Sequence, residues 1–495
     1  MINHQFTDGT ICAPATIPGT GAISIIRVSG KEALTIADKI IHLSGGSLAE
    51  TEGYRLRYGT IFEADGSVLD NVIVSVFRAP HSYTGENSVE ISCHASRFIV
   101  NSILEGLVNA GARIAAPGEF TRRAFVNGKM DLAQAEAVAD VIASQSAASH
   151  KVAMNQLKGG FSSELKSLRE KLLKMTSLLE LELDFSEEDV EFASRSELGA
   201  LVNEALSHIG RLTDSFSRGN AIKNGVPVAI VGATNTGKST LMNALLGEDR
   251  AIVSDIAGTT RDTIEETLNL GGVMFRFIDT AGIRETDEVV EKIGIERTFK
   301  KMDEASIVLG MTDLSRGEDS VLADAEYIWD KVNASSSGQE FLLLVNKCDV
   351  GGSESGDGEG HVAGNAGAGY ADKAGKMAEI EAALRAKGIS AKVIPISAKT
   401  GYGLAALTET LAEIGRRITG DTDETLVTNI RHYEALVRAA TALGRVRDGL
   451  QVATLPPDLI AQDLREALYH LGEIVGEIGT EEVLGNIFRK FCVGK

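Results

Sequence analysis

Five short segments of this 495-residue chain carry residues whose types and order suit binding and cleaving a nucleotide. In GATNTGKST, Gly232, Gly237, Lys238 and Ser239 fit the spacing G-x-x-x-x-G-K-[ST]. Glycines there let backbone N–H groups wrap phosphates, Lys238 reaches the β- and γ-phosphates, and Ser239 offers its hydroxyl to Mg²⁺. AGTTRD at 257–262 supplies Thr260, a second candidate Mg²⁺ ligand on a loop that senses the γ-phosphate. In DTAG at 279–282, Asp279 suits orienting the metal's water, and Gly282 leaves room for its N–H to meet the γ-phosphate. In NKCD at 346–349, the Asp349 carboxylate suits guanine N1–H and the 2-amino group, two donors that adenine does not present together. SAK, Ser397 to Lys399, can set a backbone N–H on guanine O6. Each segment alone is weak; five in order, each at the end of an apolar run, specify a GTP-binding domain.

The residue after DTAG is Ile283, where small signalling GTPases carry the Gln that holds the attacking water. An aliphatic side chain cannot orient a nucleophile. The acidic run RETDEVVEKIGIER that follows offers a carboxylate for that task, although a solvated helix face is the commoner fate of any one of its glutamates. Asn235, inside the phosphate loop, is either a cation-ligating amide or a turn-former.

These segments need a scaffold, and the runs before them describe one. VPVAIV precedes the phosphate loop and the apolar helix LMNALLG follows it; MFRFI, ASIVLGMT, FLLLV and KVIPI recur downstream. That alternation predicts an α/β P-loop GTPase domain with a parallel sheet over 223–420. Residues 1–130 alternate β-rich runs (GAISIIRVSG, NVIVSVFRAP, SVEISCHAS) with an apolar helical stretch near Phe98–Asn109, which predicts an α+β N-terminal domain. Residues 131–222 and 421–495 read as long amphipathic helices, with Pro456-Pro457 as punctuation and Thr480 as an N-cap. The expected fold class is therefore multidomain, with the GTPase domain inserted into an all-α helical domain built from both flanks. The glycine-rich stretch 351–370 reads as a flexible surface loop.

Composition narrows the partners. With 49 Lys+Arg against 69 Asp+Glu the net charge is −20, a poor general surface for phosphate backbones, so a nucleic-acid role needs a confined basic patch or a partner. Four scattered cysteines without a CxxC pair argue against a disulfide framework or zinc ribbon. The absence of an apolar run of ~18 residues, or of a leader-like start, points to a cytoplasmic chain with no membrane contact.

Taken together, NTGKST, AIVSDIAGTTRD, DTAGIRE and the tail FCVGK resemble the MnmE (TrmE) family of tRNA-modification GTPases. The likeness spans essentially the whole chain and extends to DGTICAPATIPGTGAISIIRVSG, SYTGENSVEIS, APGEFTRRAFVNGKMDLAQAEA and LGNIFRKFCVGK. It implies that 1–130 is a folate-binding domain through which the chain forms a homodimer. It also implies work with the FAD-dependent partner MnmG, adding a carboxymethylaminomethyl group to carbon 5 of the wobble uridine of certain tRNAs. The one-carbon unit comes from a tetrahydrofolate derivative, in 5-formyl or methylene form. GTP hydrolysis is implied to be activated when G domains dimerise, with K⁺ in place of an arginine finger.

By position, the resemblance assigns GTP contacts to Asn235, Thr236, Gly237, Lys238, Ser239 and Thr240, and to Ser254, Asp255, Ile256, Ala257, Gly258, Thr259 and Thr260. Further contacts fall on Asp279, Thr280, Ala281 and Gly282, on Asn346, Lys347 and Asp349, and on Ser397, Ala398 and Lys399. K⁺ falls to Asn235, Ser254, Ile256 and Thr259, and Mg²⁺ to Ser239 and Thr260. Catalysis falls to Lys238 and to Glu291, which positions the water and so answers the problem of Ile283. Folate binding falls to Arg27, Glu90, Lys129 and Lys495. A carboxylate such as Glu90 suits the pterin edge, and Arg27 or Lys129 suits the acidic tail; read without the motifs, both cations are equally well surface charges. Cys492 is a possible substrate-site residue, or a small buried hydrophobe beside Phe488 and Phe491. The chain departs from the family at Thr234, usually Pro, at Val493, commonly Ile, and in the 351–370 insertion. Two other functions stay open: a GTPase that assembles ribosomal RNA, and a folate enzyme with a merely regulatory GTPase. The first needs a basic RNA-binding module, whereas the flanking helices carry mixed charge and no KH or OB signature.

Overall fold

The computed structural model describes residues 9–63, 65–184, 195–249, 266–278, 304–334, 338–349, 366–420, 424–452, 456–477, 481–489, 491 and 494. They fall into two compact units, one comprising Met1–Ala143, Ala153–Arg211 and Arg431–Lys495, the other Ser144–Val152 and Leu212–Ile430.

In the first unit, short alternating runs build a seven-stranded sheet from β1 (Ile11–Pro14), β2 (Ile23–Ser29), β3 (Ile41–Leu43), β4 (Arg55–Phe62), β5 (Val68–Phe77), β6 (Ser88–His94) and β7 (Arg113–Ile114). Their order is β3-β4-β5-β6-β2-β1-β7, antiparallel except for the parallel β1–β7 pair. The β2, β5 and β6 runs were legible in the sequence; β1, β3, β4 and β7 are shorter or less apolar and become strands through pairing. Val72, Val74 and Val76 alternate inward against Val89 and Ile91, and helices Ala33–Asp38 and Arg97–Asn109 cover that face. The same unit contains the helices Leu132–Ala143, Gly160–Asp184, Ile430–Leu450, Pro457–Val475 and Glu481–Phe488. Pro457 sits at the first helical position, where its missing N–H costs nothing. Thr480 lies outside the described residues.

In the second unit, β8 (Val226–Val231), β9 (Glu266–Leu270), β10 (Val273–Ile278), β11 (Ile307–Asp313), β12 (Glu340–Asn346) and β13 (Lys392–Pro395) form one sheet in the order β13-β12-β11-β8-β10-β9. β8 and β11 are buried throughout, because apolar clusters occupy both faces of the sheet. Two expectations need correction. The sheet is mixed rather than wholly parallel: β9 pairs antiparallel with β10 across a Gly271-Gly272 turn, an edge hairpin whose half-polar sequence ETLNL hides its strand character. The glycine-rich stretch is not loop to its end, since helix Ala366–Ala386 begins inside it, propagated from the Ala-, Glu- and Lys-rich residues that follow. The fold is thus multidomain, with an α/β sheet and helical segments from both sides of it in sequence. Among the described residues, no helix is long and apolar enough to cross a membrane.

Candidate functional site

Strands β8, β11, β12 and β13 run parallel, so the loops after them emerge on one edge of the sheet. The phosphate loop follows β8. A side chain on Gly232 would lie 2.2 Å from the Met311 carbonyl oxygen, and one on Gly237 would lie 2.3 Å from the Asn346 side-chain nitrogen. Gly237 also has φ +101°, a conformation that side chains rarely adopt. Thr236 is buried, and its hydroxyl donates to the Ala233 carbonyl at 2.9 Å. Lys238 opens helix Lys238–Asp249 and donates from Nζ to the carbonyls of Gly232 (2.8 Å) and Ala233 (2.7 Å). Burial pushes its ammonium pKa down. The Leu241 amide makes an intrahelical bond to Gly237 O at 2.9 Å, and the N-terminal end of a helix is a favourable place for an anion.

Asn346 ends β12 and ties three loops into one site. Its Nδ2 donates to the Thr236 carbonyl at 2.7 Å and its Oδ1 accepts from the Ala398 amide at 3.0 Å, both buried. The Cys348 amide donates to Ile396 O at 3.2 Å. Lys347, with φ +62°, donates from Nζ to Asp313 Oδ2 at 2.6 Å, while the amide and hydroxyl of Ser315 donate to Asp313 Oδ1. Burial raises the Asp313 pKa, but Lys347 and Ser315 outweigh it and leave the carboxyl below its usual range. Ser397 and Ala398 are buried, Ser239 is half-buried, and Asn235, Thr240, Asp349 and Lys399 are exposed. The structure therefore gathers the phosphate loop, NKCD and SAK at one sheet edge. Ser254, Asp255, Ile256, Ala257, Gly258, Thr259, Thr260, Asp279, Thr280, Ala281, Gly282, Ile283 and Glu291 lie outside the described residues. Among the described residues, no group of three His, Cys, Asp or Glu is placed to hold a metal. The hydroxyl of Ser239 and the amide oxygen of Asn235 are hard-oxygen donors of the described loop, alongside the hydroxyls of Thr234, Thr236 and Thr240.

In the first unit, Arg27 on β2 falls opposite Glu90 on β6. Nε and Nη2 of Arg27 reach Glu90 Oε1 at 2.9 and 2.8 Å, with the side chains 20% and 25% exposed. The guanidinium also lies 5.2 Å from the Tyr83 ring centre and 5.6 Å from that of Phe120. Ile11, Ala13, Ala115 and Phe120 pack with Tyr83 as a small cluster of their own. Lys129 Nζ donates to the Pro80 carbonyl at 3.1 Å. Cys492 and Lys495 lie outside the described residues; a side chain on Gly494 would lie 2.0 Å from the Pro14 carbonyl oxygen at the end of β1. Phe491 is buried with Phe488, ring centres 5.5 Å apart.

Sequence reasoning assigned no role to Tyr83, Phe120, Asn346 as a bridge, or Asp313. The first two stood inside SYTGENSVEIS and APGEFTRRAFVNGKMDLAQAEA, and what they touch depends on segments far apart in sequence.

Profiles of two families match the chain: one described as GTP-binding protein TrmE N-terminus at residues 10–129, and one described as MnmE helical domain at residues 132–492. A tRNA modification GTPase MnmE of Parabacteroides distasonis is 50% identical over 98% of this chain and 100% of its own length. The protein of the same description from Bacteroides fragilis is 50% identical over 98% of this chain and 99% of its own length. That of Porphyromonas gingivalis is 47% identical over the full length of both.

Proposed function

The chain belongs to the MnmE (TrmE) family of tRNA modification GTPases, and from that premise we propose that it hydrolyses GTP, in a K⁺-dependent manner activated by G-domain dimerisation, to drive modification of the wobble uridine of tRNA. The observation that carries the nucleotide site is the Asn346 bridge between the Thr236 carbonyl and the Ala398 amide. It sets the phosphate-binding and base-reading loops in fixed relation through protein contacts of their own, which is the preorganisation that phosphoryl transfer relies on.

In this reading the N-terminal turn of helix Lys238–Asp249 and the Lys238 ammonium receive the phosphates. Its partial burial strengthens that attraction. Asp349 reads the guanine edge, and the Ala398 segment lies beside O6. Ser239 and Thr260 hold Mg²⁺, which supplies charge neutralisation between the phosphates. Asn235, Ser254, Ile256 and Thr259 hold K⁺, and Glu291 orients the attacking water in the place Ile283 cannot fill. The GTPase domain, residues 223–420, is inserted in a helical domain of 131–222 and 421–495.

The N-terminal domain, residues 1–130, binds a tetrahydrofolate derivative at Arg27, Glu90, Lys129 and Lys495, and pairs with a second copy. Support for the pairing comes from the sheet face that carries Arg27 and Glu90: Leu56, Tyr58 and Ile73 lie on it in register and are 69%, 60% and 49% exposed. The FAD-dependent partner MnmG supplies the second half of the modification machinery and most of the contact to tRNA, given the net charge of −20. The protein works in the cytoplasm.

Two measurements test this. Hydrolysis of GTP by the purified chain is expected to be faster in K⁺ than in Na⁺ at equal ionic strength; equal rates overturn the K⁺ assignment. Nucleoside analysis of tRNA from a deletion strain is expected to lack the carboxymethylaminomethyl uridine. A normal nucleoside profile overturns the modification role and favours a ribosome-assembly function.

A further inference from the structure

Helix Glu119–Val126 is fastened to the loop 80–87 at four points. Lys129, just beyond the helix, donates to the Pro80 carbonyl, and Asn127 Nδ2 donates to the Thr84 carbonyl at 2.7 Å. The hydroxyls of Tyr83 and Thr121 lie 2.8 Å apart. The fourth point is ionic: Arg123 Nη1 reaches both carboxylate oxygens of Glu86 at 3.1 Å, and its Nη2 reaches Glu119 Oε1 and the Gly9 carbonyl at 3.0 Å. Arg123 is 2% exposed, so the loop is anchored through a charge taken fully out of water. Arg113 binds both oxygens of Glu119 and shares Oε1 with Arg123, which gives the cluster two guanidinium groups and two carboxylates. Burial raises the Glu119 pKa, but the two arginines and the Ala116 amide outweigh it and keep the carboxyl below its usual range.

What this anchor holds is the pair of rings around Arg27. Tyr83 sits on the fastened loop and Phe120 on the fastening helix, and the Arg27 guanidinium lies within 5.6 Å of both ring centres while it grips Glu90. On the reading that Arg27 and Glu90 bind the folate, we propose that Arg123 and Glu86 are positioning residues for that site. Their ion pair, buried on the Arg123 side and half-buried at Glu86, fixes Tyr83 against Phe120, and the two rings hold Arg27 in the rotamer that presents Glu90 to the ligand. Glu86 cannot swing freely even without Arg123, because the Ser29 hydroxyl donates to its Oε2 at 2.8 Å. The network is therefore built to set geometry, and neither residue needs to touch the ligand.

The test is a double-mutant cycle read by calorimetric titration of 5-formyltetrahydrofolate into the full-length protein. Glu86→Gln keeps the volume and an acceptor but removes the charge; it is expected to weaken binding about tenfold. In an Arg27→Met background the same change is expected to weaken it by less than twofold, since its effect runs through Arg27. Thr121→Val, which removes only the Tyr83 hydroxyl contact, is expected to behave likewise with a smaller effect. Amide exchange over residues 80–87 is expected to quicken in Glu86→Gln without ligand. Equal losses in both backgrounds, or quickened exchange with unchanged affinity, would reduce the pair to a structural role and overturn the proposal. Absence of binding by the unsubstituted protein would instead overturn the folate reading on which it rests.

Discussion

Replacing Asn346 by Ala tests the reasoning about the nucleotide site most directly. The side chain is 3% exposed and makes two hydrogen bonds, at 2.7 Å to the Thr236 carbonyl and at 3.0 Å from the Ala398 amide. Removing it leaves both backbone groups without that partner in a buried place, at roughly 1–3 kcal/mol each. Water entering the vacated volume recovers part of this, so about 3 kcal/mol is a reasonable sum. Both bonds are made within the protein, so the loss appears first as destabilisation of the α/β unit. It appears again in affinity, because the loops must then be ordered by the ligand itself; the GTP dissociation constant should rise between about 10- and 100-fold, 1.4 kcal/mol being one decade. The assay is equilibrium titration of a fluorescent GTP analogue, with a thermal melt on the same samples. Asn346→Asp is the sharper companion: it still accepts from Ala398 but turns an oxygen toward the Thr236 carbonyl, so it should bind no better than the Ala variant. A folded Asn346→Asp protein with parental GTP affinity would refute the bridge as the organising contact.

Gly237→Ala puts a methyl group 2.3 Å from the Asn346 nitrogen at φ +101°, so GTP binding should fall more than about tenfold while the N-terminal unit keeps its circular-dichroism melt. Glu291→Ala should lower the single-turnover hydrolysis rate about 10²-fold with GTP affinity unchanged; a parental rate would remove Glu291 from catalysis. Glu136 makes stability depend on pH. Burial raises its pKa, but His432 at 2.7 Å and Arg431 at 2.8 Å outweigh this and bring it to about 2, against 4.5 for a free side chain. A folded value below the unfolded one means that this stabilisation is complete above about pH 5 and is lost as pH falls toward 2. It amounts to about 3 kcal/mol, of which about 2 is gone by pH 3. Urea midpoints should accordingly drop less between pH 7 and pH 3 in Glu136→Gln than in the parent; parallel curves would show that the carboxylate is not held by its partners.

The meeting of the 232–240 loop with NKCD and SAK at one sheet edge was legible because those patterns are local. The motif G-x-x-x-x-G-K-[ST] keeps its glycines, lysine and hydroxyl within a few residues, and NKCD and SAK each follow an apolar strand, so spacing along the chain is a fair guide to spacing in the fold. The edge strand β9 was not legible: its pattern in ETLNL carries little apolar signal, and its pairing with β10 is what makes it a strand. The glycine-rich stretch misled in the other direction, because glycine lowers helix propensity locally while the helix that includes Ala366 is sustained by residues further on.

The N-terminal site divides the two sources of information more sharply. The residue types at Arg27, Glu90 and Lys129 were fixed in the sequence, together with the motifs around them. That Arg27 and Glu90 are partners followed only from the register of β2 against β6, which pairs residues far apart in the chain. That Tyr83 and Phe120 flank the guanidinium, and that a fully buried Arg123 anchors the loop carrying one of them, is likewise a product of long-range packing. Asn346 belongs to the same class: its type was written in NKCD, but its two bonds join Thr236 and Ala398, segments that meet only when parallel strands end on one edge. Short-range chemistry is encoded in spacing, whereas a contact across strands has no spacing to read and exists only once the sheet has set its register.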